Sequence, residues 1–155
     1  MSFIVGESTG TFEVEAPELN RLFIPPPPNT REELTSPEAA ARVFGRHLFG
    51  MDREACVAAY LDTKHRLLAV ETVSIGSIDH TFMTPRDIYR GALLVNASAL
   101  IVSHNHPSGD PEPSRDDEAV TRRIARAGEL IGIELLDHIV VGGTNWVSMA
   151  RRGTV

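Results

Sequence analysis

The chain has 155 residues and a formal charge of −6, so it fits one compact domain whose overall charge repels polyanions. Its single cysteine excludes an internal disulfide and any cysteine-rich zinc site, and Cys56 lies in an apolar run where we expect core. No stretch reaches the roughly 18 apolar residues of a membrane span, and the acidic N terminus lacks the order of a signal peptide, so we expect a cytosolic protein with no membrane partner.

Residues 1–35 differ in composition from the rest and are predicted to form an arm. Four consecutive prolines (Pro25–Pro28) favour extended polyproline geometry and donate no backbone hydrogen bonds. Within the arm, Phe12–Glu15 fits an added edge strand and equally a loosely ordered tail. Residues 36–155 are predicted to form the folded domain.

The first half of this domain is predicted to begin with a helix and a hairpin. Ser36 followed by proline is typical of a helix N-cap and predicts a helix over Pro37–Gly50. Two apolar runs separated by a short turn, Ala55–Asp62 and Leu67–Gly76, predict two paired strands.

Two further helices are predicted on either side of a buried strand. Thr84 precedes a proline and predicts a helix over about Pro85–Asn96. The continuous apolar run Ala99–Ser103 is typical of a central strand. The third helix is predicted over Arg115–Ile131, and Gly132 is well placed to end it. Its apolar residues recur at helical spacing on one face: Val120, Ile124, Ala127 and Ile131.

The chain ends in two more predicted strands, Ile133–Gly143 and Asn145–Ala150, around a short turn. Five strands mixed with three helices predict an α/β (α+β) fold of three layers, with the sheet between helices. His138 lies beside Asp137 in one of these strands, where a core or edge histidine bonded to its neighbours is the expected role. Three other histidines are predicted to be solvated: His47, His65 and His80.

Nucleic-acid binding by an acidic chain would need a local basic patch, because phosphate contacts dominate such affinity. Five arginines in the last third of the chain are candidates for one, although such a set is more often a solvated surface: Arg122, Arg123, Arg126, Arg151 and Arg152.

The segment Ser103–Asp117, "SHNHPSGDPEPSRDD", concentrates the residues that carry chemistry. His104 and His106 follow the predicted central strand, and residues two apart in extended chain point to the same side. Both imidazoles can therefore meet one cation, although two histidines in an ordinary turn are the alternative. The proline-rich Pro107–Pro113 cannot be helical, so the chain must turn and return to the start of the next helix.

Asp117 in the first turn of that helix can face the histidines and supply an oxygen. Two neutral nitrogens and one carboxylate leave a fourth position open, as in a catalytic rather than a structural zinc site. Zinc in such a site lowers the pKa of bound water to roughly 7 and so makes a nucleophile available. Manganese or iron could also occupy a site of this kind.

A hydrolase also needs a carboxylate that takes the proton of the water and passes it to the leaving group. Glu71 is the candidate, because a glutamate inside an apolar strand is costly unless it is paired or used. The alternative is an outward position on a half-exposed strand.

Ser114 also has two interpretations. Ser114 and Asp117 have the spacing of a capping box, in which the serine caps the helix and the aspartate reaches back to it. Alternatively, the hydroxyl stabilises the oxyanion of a tetrahedral intermediate. The cap can form while Asp117 also faces a metal ion.

The residues His104, His106, Ser114 and Asp117 follow the pattern H-x-H-x7-S-x2-D, which resembles the JAMM signature of the MPN/JAB metalloprotease domain. The flanking segments "TPRDIYRGAL" and "LLDHIVVGG" resemble the RadC family, named for DNA repair. The resemblance extends over about residues 36–155.

This resemblance implies a JAB fold, a mixed sheet flanked by helices that is similar to the cytidine deaminase architecture. It implies zinc held by His104, His106 and Asp117, with Ser114 at the oxyanion and Glu71 as the general base. The activity implied is cleavage of an amide bond in a peptide or protein substrate, by a peptidase or isopeptidase acting through a zinc-activated water.

Two other functions stay open: a metal-dependent nuclease or DNA-repair accessory, and a non-catalytic interaction module stabilised by its metal. The sequence does not show the helix-hairpin-helix domain that RadC proteins usually carry, which weakens the link to DNA. It also lacks the long insertions with which deubiquitinating relatives hold ubiquitin. The substrate and the oligomeric state are not predicted.

Overall fold

A five-stranded mixed sheet forms the middle layer of the domain, with helices on both faces. The computed structural model describes residues 25–77 and 83–155. The elements within these ranges are α1 (Pro37–Leu48), β1 (Ala55–Leu61), β2 (Leu67–Ile75), α2 (Pro85–Leu94), β3 (Ala99–Asn105), α3 (Arg115–Ile131), β4 (Glu134–Gly142) and β5 (Asn145–Ser148). The predicted α/β class is therefore confirmed, whereas the edge strand proposed for Phe12–Glu15 lies outside the described residues.

The strands lie in the order β2-β1-β3-β4-β5, and β3 is the central strand as predicted. β1 pairs antiparallel with β2 and with β3, and β4 pairs antiparallel with β5. β3 and β4 are parallel, and α3 is the crossover between them. In open α/β sheets ligands bind beyond the carboxyl ends of parallel strands, so the loop between β3 and α3 is the natural place for a site.

β1 is buried along its whole length and separates two hydrophobic cores. Because side chains alternate between the faces of a strand, Val57 and Ala59 pack towards α1, whereas Cys56 and Tyr60 pack towards α2 and α3. Burial raises the pKa of the Cys56 thiol to about 12, so this residue is a neutral core side chain, as predicted.

Local capping chemistry fixes the ends of the helices. The Ser36 side chain accepts a hydrogen bond from Ala39 N at the start of α1, and Thr84 does the same for Asp87 N in α2. Gly132 ends α3 with a φ of 82°, a left-handed conformation that suits glycine.

Two sequence predictions need correction. The central strand does not stop at Ser103 but continues to Asn105, because both neighbouring strands pair with its polar end. The predicted apolar stripe of α3 is only partly correct, since Ile124 is buried and Val120 and Ala127 pack against the core, whereas Ile131 is 43% exposed. The buried residues of α3 are Asp117, Thr121, Ile124 and Gly128. Polar groups therefore occupy positions that apolar periodicity would assign to the core.

The segment just before α1 is joined to the turn between β1 and β2. Leu34 is buried, and its N–H donates to His65 O at 2.9 Å. The Asp62 carboxylate accepts from Arg31 at 2.9 Å and from Arg66 at 2.8 Å. The predicted boundary at residue 35 stays a prediction, since most of the arm lies outside the described residues.

Replacing Asp62 with asparagine is expected to lower the free energy of unfolding by about 1–2 kcal/mol, because two arginines lose their anionic partner. Burial opposes ionisation, but hydrogen bonds from Arg66, Lys64 and Arg31 lower the pKa of Asp62 from 3.8 to about 2 in the folded state. Its contribution is thus complete above pH 4 and lost as the pH falls towards 2. Denaturant unfolding at pH 7 and pH 2 measures this, with Asp52→Asn as the exposed control.

Candidate metal centre

Three side chains converge at the carboxyl end of β3. His104 is within the strand, and His106 follows it closely, with its N–H donating to Val141 O at 2.7 Å. The backbone is thus still extended there, so the two imidazoles point to the same side, as predicted. Asp117 reaches the same point from the first turn of α3.

The three side chains are close enough to share one ion. The two Nε2 atoms are 3.0 Å apart, Asp117 Oδ1 is 3.2 Å from His104 Nε2, and Asp117 Oδ2 is 3.5 Å from His106 Nε2. All the potential ligand atoms lie within 4.8 Å of one another. His104 is fully buried, while the side chain of His106 is 16% exposed and so gives access from solvent.

Each imidazole uses its other nitrogen elsewhere. His106 Nδ1 is 2.7 Å from Asp110 O, and a carbonyl can only accept, so Nδ1 carries the proton and Nε2 has the lone pair. His104 Nδ1 is 2.8 Å from Nε2 of His138. Two ring nitrogens and a carboxylate thus face one another, an arrangement that a divalent cation stabilises and that fits zinc.

The charges at the centre are strongly coupled. Burial would raise the pKa of Asp117, but the adjacent imidazoles of His104 and His106 outweigh it and hold this pKa far below its usual value. The adjacent Asp117 carboxylate raises the pKa of His106 against the effect of burial, and the nearby charge of Glu54 adds to the increase. Asp117 is therefore ionised at any physiological pH.

Asp117 takes part in the capping box with Ser114 and also faces the histidines. The capping box forms, with Ser114 Oγ accepting from Asp117 N at 3.1 Å and Asp117 Oδ2 accepting from Ser114 N at 2.7 Å. Asp117 Oδ1 meanwhile faces His104. The cap therefore orients the carboxylate for the metal centre. The Ser114 hydroxyl donates to Asp117 Oδ2 at 2.8 Å, so its oxyanion role remains a prediction.

The loop between β3 and α3 is held against the end of β4. A Cβ on Gly142 would lie 2.5 Å from Pro111 N, so glycine is needed where the two backbones approach. The loop is also anchored by an ion pair in which Arg152 donates to Glu112 at 2.9 Å. Because the loop presents Asp110 O to His106, these contacts also orient the ligand.

Glu71 is not placed among the metal ligands. Glu71 is on β2, where its register partner on β1 is Ala58. His104 is on β3, which pairs with the opposite edge of β1, and its register partner there is Cys56. The Glu71 carboxylate accepts from the Tyr60 hydroxyl at 2.6 Å and lies 3.4 Å from Arg90 Nη2. The Glu71 charge in this apolar strand is thus paired, as one of the two sequence interpretations allowed. The role of Glu71 as a base remains a prediction.

Glu54 is the carboxylate that sequence reasoning missed. Its backbone extends the ladder between β1 and β2, since Gly76 N donates to Glu54 O at 2.8 Å. In this extended chain Glu54 lies on the same face as Cys56, the residue that pairs with His104. Its charge acts on His106. A position just before an apolar strand gives no periodic signal, so the sequence alone did not single it out.

His138 is a core histidine bonded to its neighbours, as predicted. One of these neighbours is His104, which no local pattern in the sequence indicates. The exposed histidine His47 bonds only within its own helix, as far as the described residues show, and His80 lies outside them.

Three of the five candidate arginines form ion pairs in the described structure. Arg122 pairs with Glu118 at 3.1 Å, and Arg151 pairs with Glu38 at 2.6 Å. Together with the pairing of Arg152, this leaves a weak electrostatic basis for binding nucleic acid. No helix within residues 25–77 and 83–155 is both long and apolar enough to cross a membrane.

Comparison with known proteins agrees with this geometry. A family model described as a RadC-like JAB domain matches residues 34–154. A UPF0758 protein of Desulforamulus reducens is 40% identical over 138 residues, which are 89% of this chain and 61% of that protein. A UPF0758 protein of Xanthomonas campestris is 46% identical over 124 residues, which are 80% of this chain and 55% of that protein.

The chain thus spans only part of its curated relatives, and a UPF0758 protein of Halalkalibacterium halodurans gives the same result, with 40% identity over 96% of this chain and 64% of the relative. The family model covers the whole sheet, its three helices and the His-His-Asp cluster. This chain therefore belongs to the family of RadC-like JAB domains.

Proposed function

We propose that this domain is a zinc-dependent hydrolase that cleaves an amide bond in a peptide or protein, as a peptidase or isopeptidase. The observation that carries the proposal is the convergence of His104, His106 and Asp117, with each imidazole turning Nε2 inwards and holding its Nδ1 elsewhere. Three protein ligands with one open position are the arrangement of catalytic rather than structural zinc.

A divalent ion at such a site supplies a nucleophile by lowering the pKa of water and polarises the carbonyl of the scissile bond. The protein provides the rest. The backbone carbonyl of Asp110 and the side chain of His138 keep the two imidazoles oriented. The burial of His104 keeps bulk water from one side of the centre, which strengthens every electrostatic interaction there.

Proton transfer is the second requirement, and two carboxylates are candidates for it, Glu54 and Glu71. The charge of Glu54 reaches His106, whereas Glu71 is held by Tyr60 and Arg90. We therefore assign to Glu54 the transfer of a proton from water to the leaving amine, with Glu71 as the alternative that sequence pattern favours. Ser114 Oγ would serve the oxyanion if its proton turned from Asp117 Oδ2 to the substrate.

A cleft beside the centre supports a polymeric substrate. A pocket of about 220 Å³ is lined by His106 and by Phe49, Val141 and Gly143. The last three residues also line an adjoining cleft of about 700 Å³ between α1 and the β4–β5 hairpin, beside Trp146. An extended peptide could place an apolar side chain there while its backbone reaches the metal ligands, because ligand sites combine apolar walls with a few polar groups.

Metal-dependent cleavage of defined substrates tests this proposal. The protein loaded with one equivalent of zinc is incubated with a library of unmodified peptides and isopeptide-linked pairs, and products are identified by mass spectrometry. We expect cleavage that stops with a chelator and returns with zinc. Stoichiometric zinc without cleavage in either library would overturn the proposal, and salt-sensitive cleavage of DNA would replace it with the nuclease alternative.

A further inference from the structure

We propose that His138 and Thr121 are positioning residues that fix the tautomer of His104, so that its Nε2 presents a lone pair to the metal ion. The inference rests on the proposed metal site but not on any catalytic activity. Neither residue belongs to the ligand pattern in the sequence, and the two reach His104 from different elements, β4 and α3.

A continuous series of contacts joins the helix to the ligand. Thr121 Oγ1 lies 2.6 Å from Asp117 O and 2.6 Å from His138 Nδ1. His138 Nε2 in turn lies 2.8 Å from His104 Nδ1. All three distances are those of good hydrogen bonds, so each contact needs one proton between its two atoms.

The positions of these protons follow from the chemistry of the groups. The carbonyl of Asp117 can only accept, so the single hydroxyl proton of Thr121 must point to it. The hydroxyl oxygen then accepts from His138, which places the ring proton of His138 on Nδ1. Nε2 of His138 is left as an acceptor, and it receives the proton on Nδ1 of His104. Nε2 of His104 is therefore free to bind the metal.

If the hydrogen bonds of this series ran in the opposite direction, one contact would have no proton between its two atoms. If Thr121 donated to His138, the protons would shift along the series and His104 would be protonated on Nε2, the atom that faces Asp117. The close approach of Thr121 Oγ1 to Asp117 O would then join two oxygens without a proton between them. In a site from which water is excluded such a contact is costly.

Within the described residues, this series supplies the hydrogen bond at Nδ1 of His104. His104, Thr121 and His138 are each 0% exposed, so solvent cannot replace a lost partner. Asp137 Oδ1 accepts from His138 N at 2.7 Å and helps to fix the strand at this point. Thr121 lies one helical turn after Asp117. The same segment of α3 therefore supplies Asp117 to the proposed metal site and fixes the position of the proton on His104.

Two measurements test the inference without using activity. Nitrogen-15 NMR of the metal-free protein reports which nitrogen of His104 carries the proton, and we expect Nδ1. Competition with a chromogenic chelator reports zinc affinity. We expect Thr121→Val to weaken zinc binding by about 10–100-fold, the usual effect of losing a hydrogen-bond partner of a ligand, and Thr121→Ser to stay within about threefold of wild type.

Matched variants separate positioning from general damage. Thr72→Val makes the same exchange at an exposed position of β2 and is expected to leave zinc affinity unchanged. His138→Phe keeps the ring but removes both nitrogens, and it should match the loss in Thr121→Val. A wild-type His104 protonated on Nε2, or a Thr121→Val protein that binds zinc like wild type, would overturn the inference. The NMR result decides even if a variant does not fold.

Discussion

Replacing His106 with alanine is expected to weaken zinc binding by on the order of 100-fold or more, beyond the effect of losing a partner that only supports a ligand. The variant removes one of two nitrogen donors, while His104 and Asp117 stay in place. His106 is the preferred target because Asp117 also caps α3, so that a change there would disturb the helix itself. Metal analysis of the purified protein and chelator competition measure the effect.

Thermal unfolding gives an independent readout of the same change. A ligand that binds the folded state alone stabilises it in proportion to the logarithm of its concentration over its Kd. A chelator should therefore lower the Tm of the zinc-loaded wild type more than that of His106→Ala. His47→Ala, an exposed histidine of α1, is the matched control and should behave as wild type. Full zinc content in His106→Ala would refute the ligand assignment.

The elements of the fold were predictable where local residues mark the start or the end of a helix. Ser36 and Thr84, each followed by proline, mark the starts of two helices, and Gly132 marks the end of a third. The convergence of His104, His106 and Asp117 was predictable for a related reason, since all three lie within fourteen residues of one another in a segment that must turn back. Local chemistry and chain geometry are enough for such features.

The remaining features depend on contacts between distant parts of the chain. Tyr60 meets Glu71 across a strand pair, and His138 meets His104 across another, so neither contact leaves a mark in local sequence. The polar end of β3 and the buried Thr121 likewise depart from apolar periodicity, and both lie beside the His-His-Asp cluster. Departures from hydrophobic patterning thus coincide with the site, as expected where function overrides packing.

A second large effect is expected when the carboxylate that moves the proton is changed. Glu54→Gln keeps the size of the side chain but removes its ability to take a proton, so kcat should fall by about 10²–10⁴-fold, the usual contribution of a general acid–base. Zinc content should stay at one equivalent, because Glu54 is not among the ligands of the His-His-Asp cluster. Steady-state kinetics on the substrate found by the library, with metal analysis of the same samples, measure both.

Glu71→Gln is the matched comparison, since it makes the same exchange at the carboxylate that sequence pattern favours. Burial and the hydrogen bond to Glu71 raise the pKa of Tyr60, so its hydroxyl stays protonated and donates to the carboxylate at 2.6 Å. Weakening this charge-assisted bond should lower the free energy of unfolding by about 1–2 kcal/mol and leave kcat within a few-fold of wild type. The reverse ranking of the two variants in kcat would return the proton transfer to Glu71 and assign Glu54 an electrostatic effect on His106.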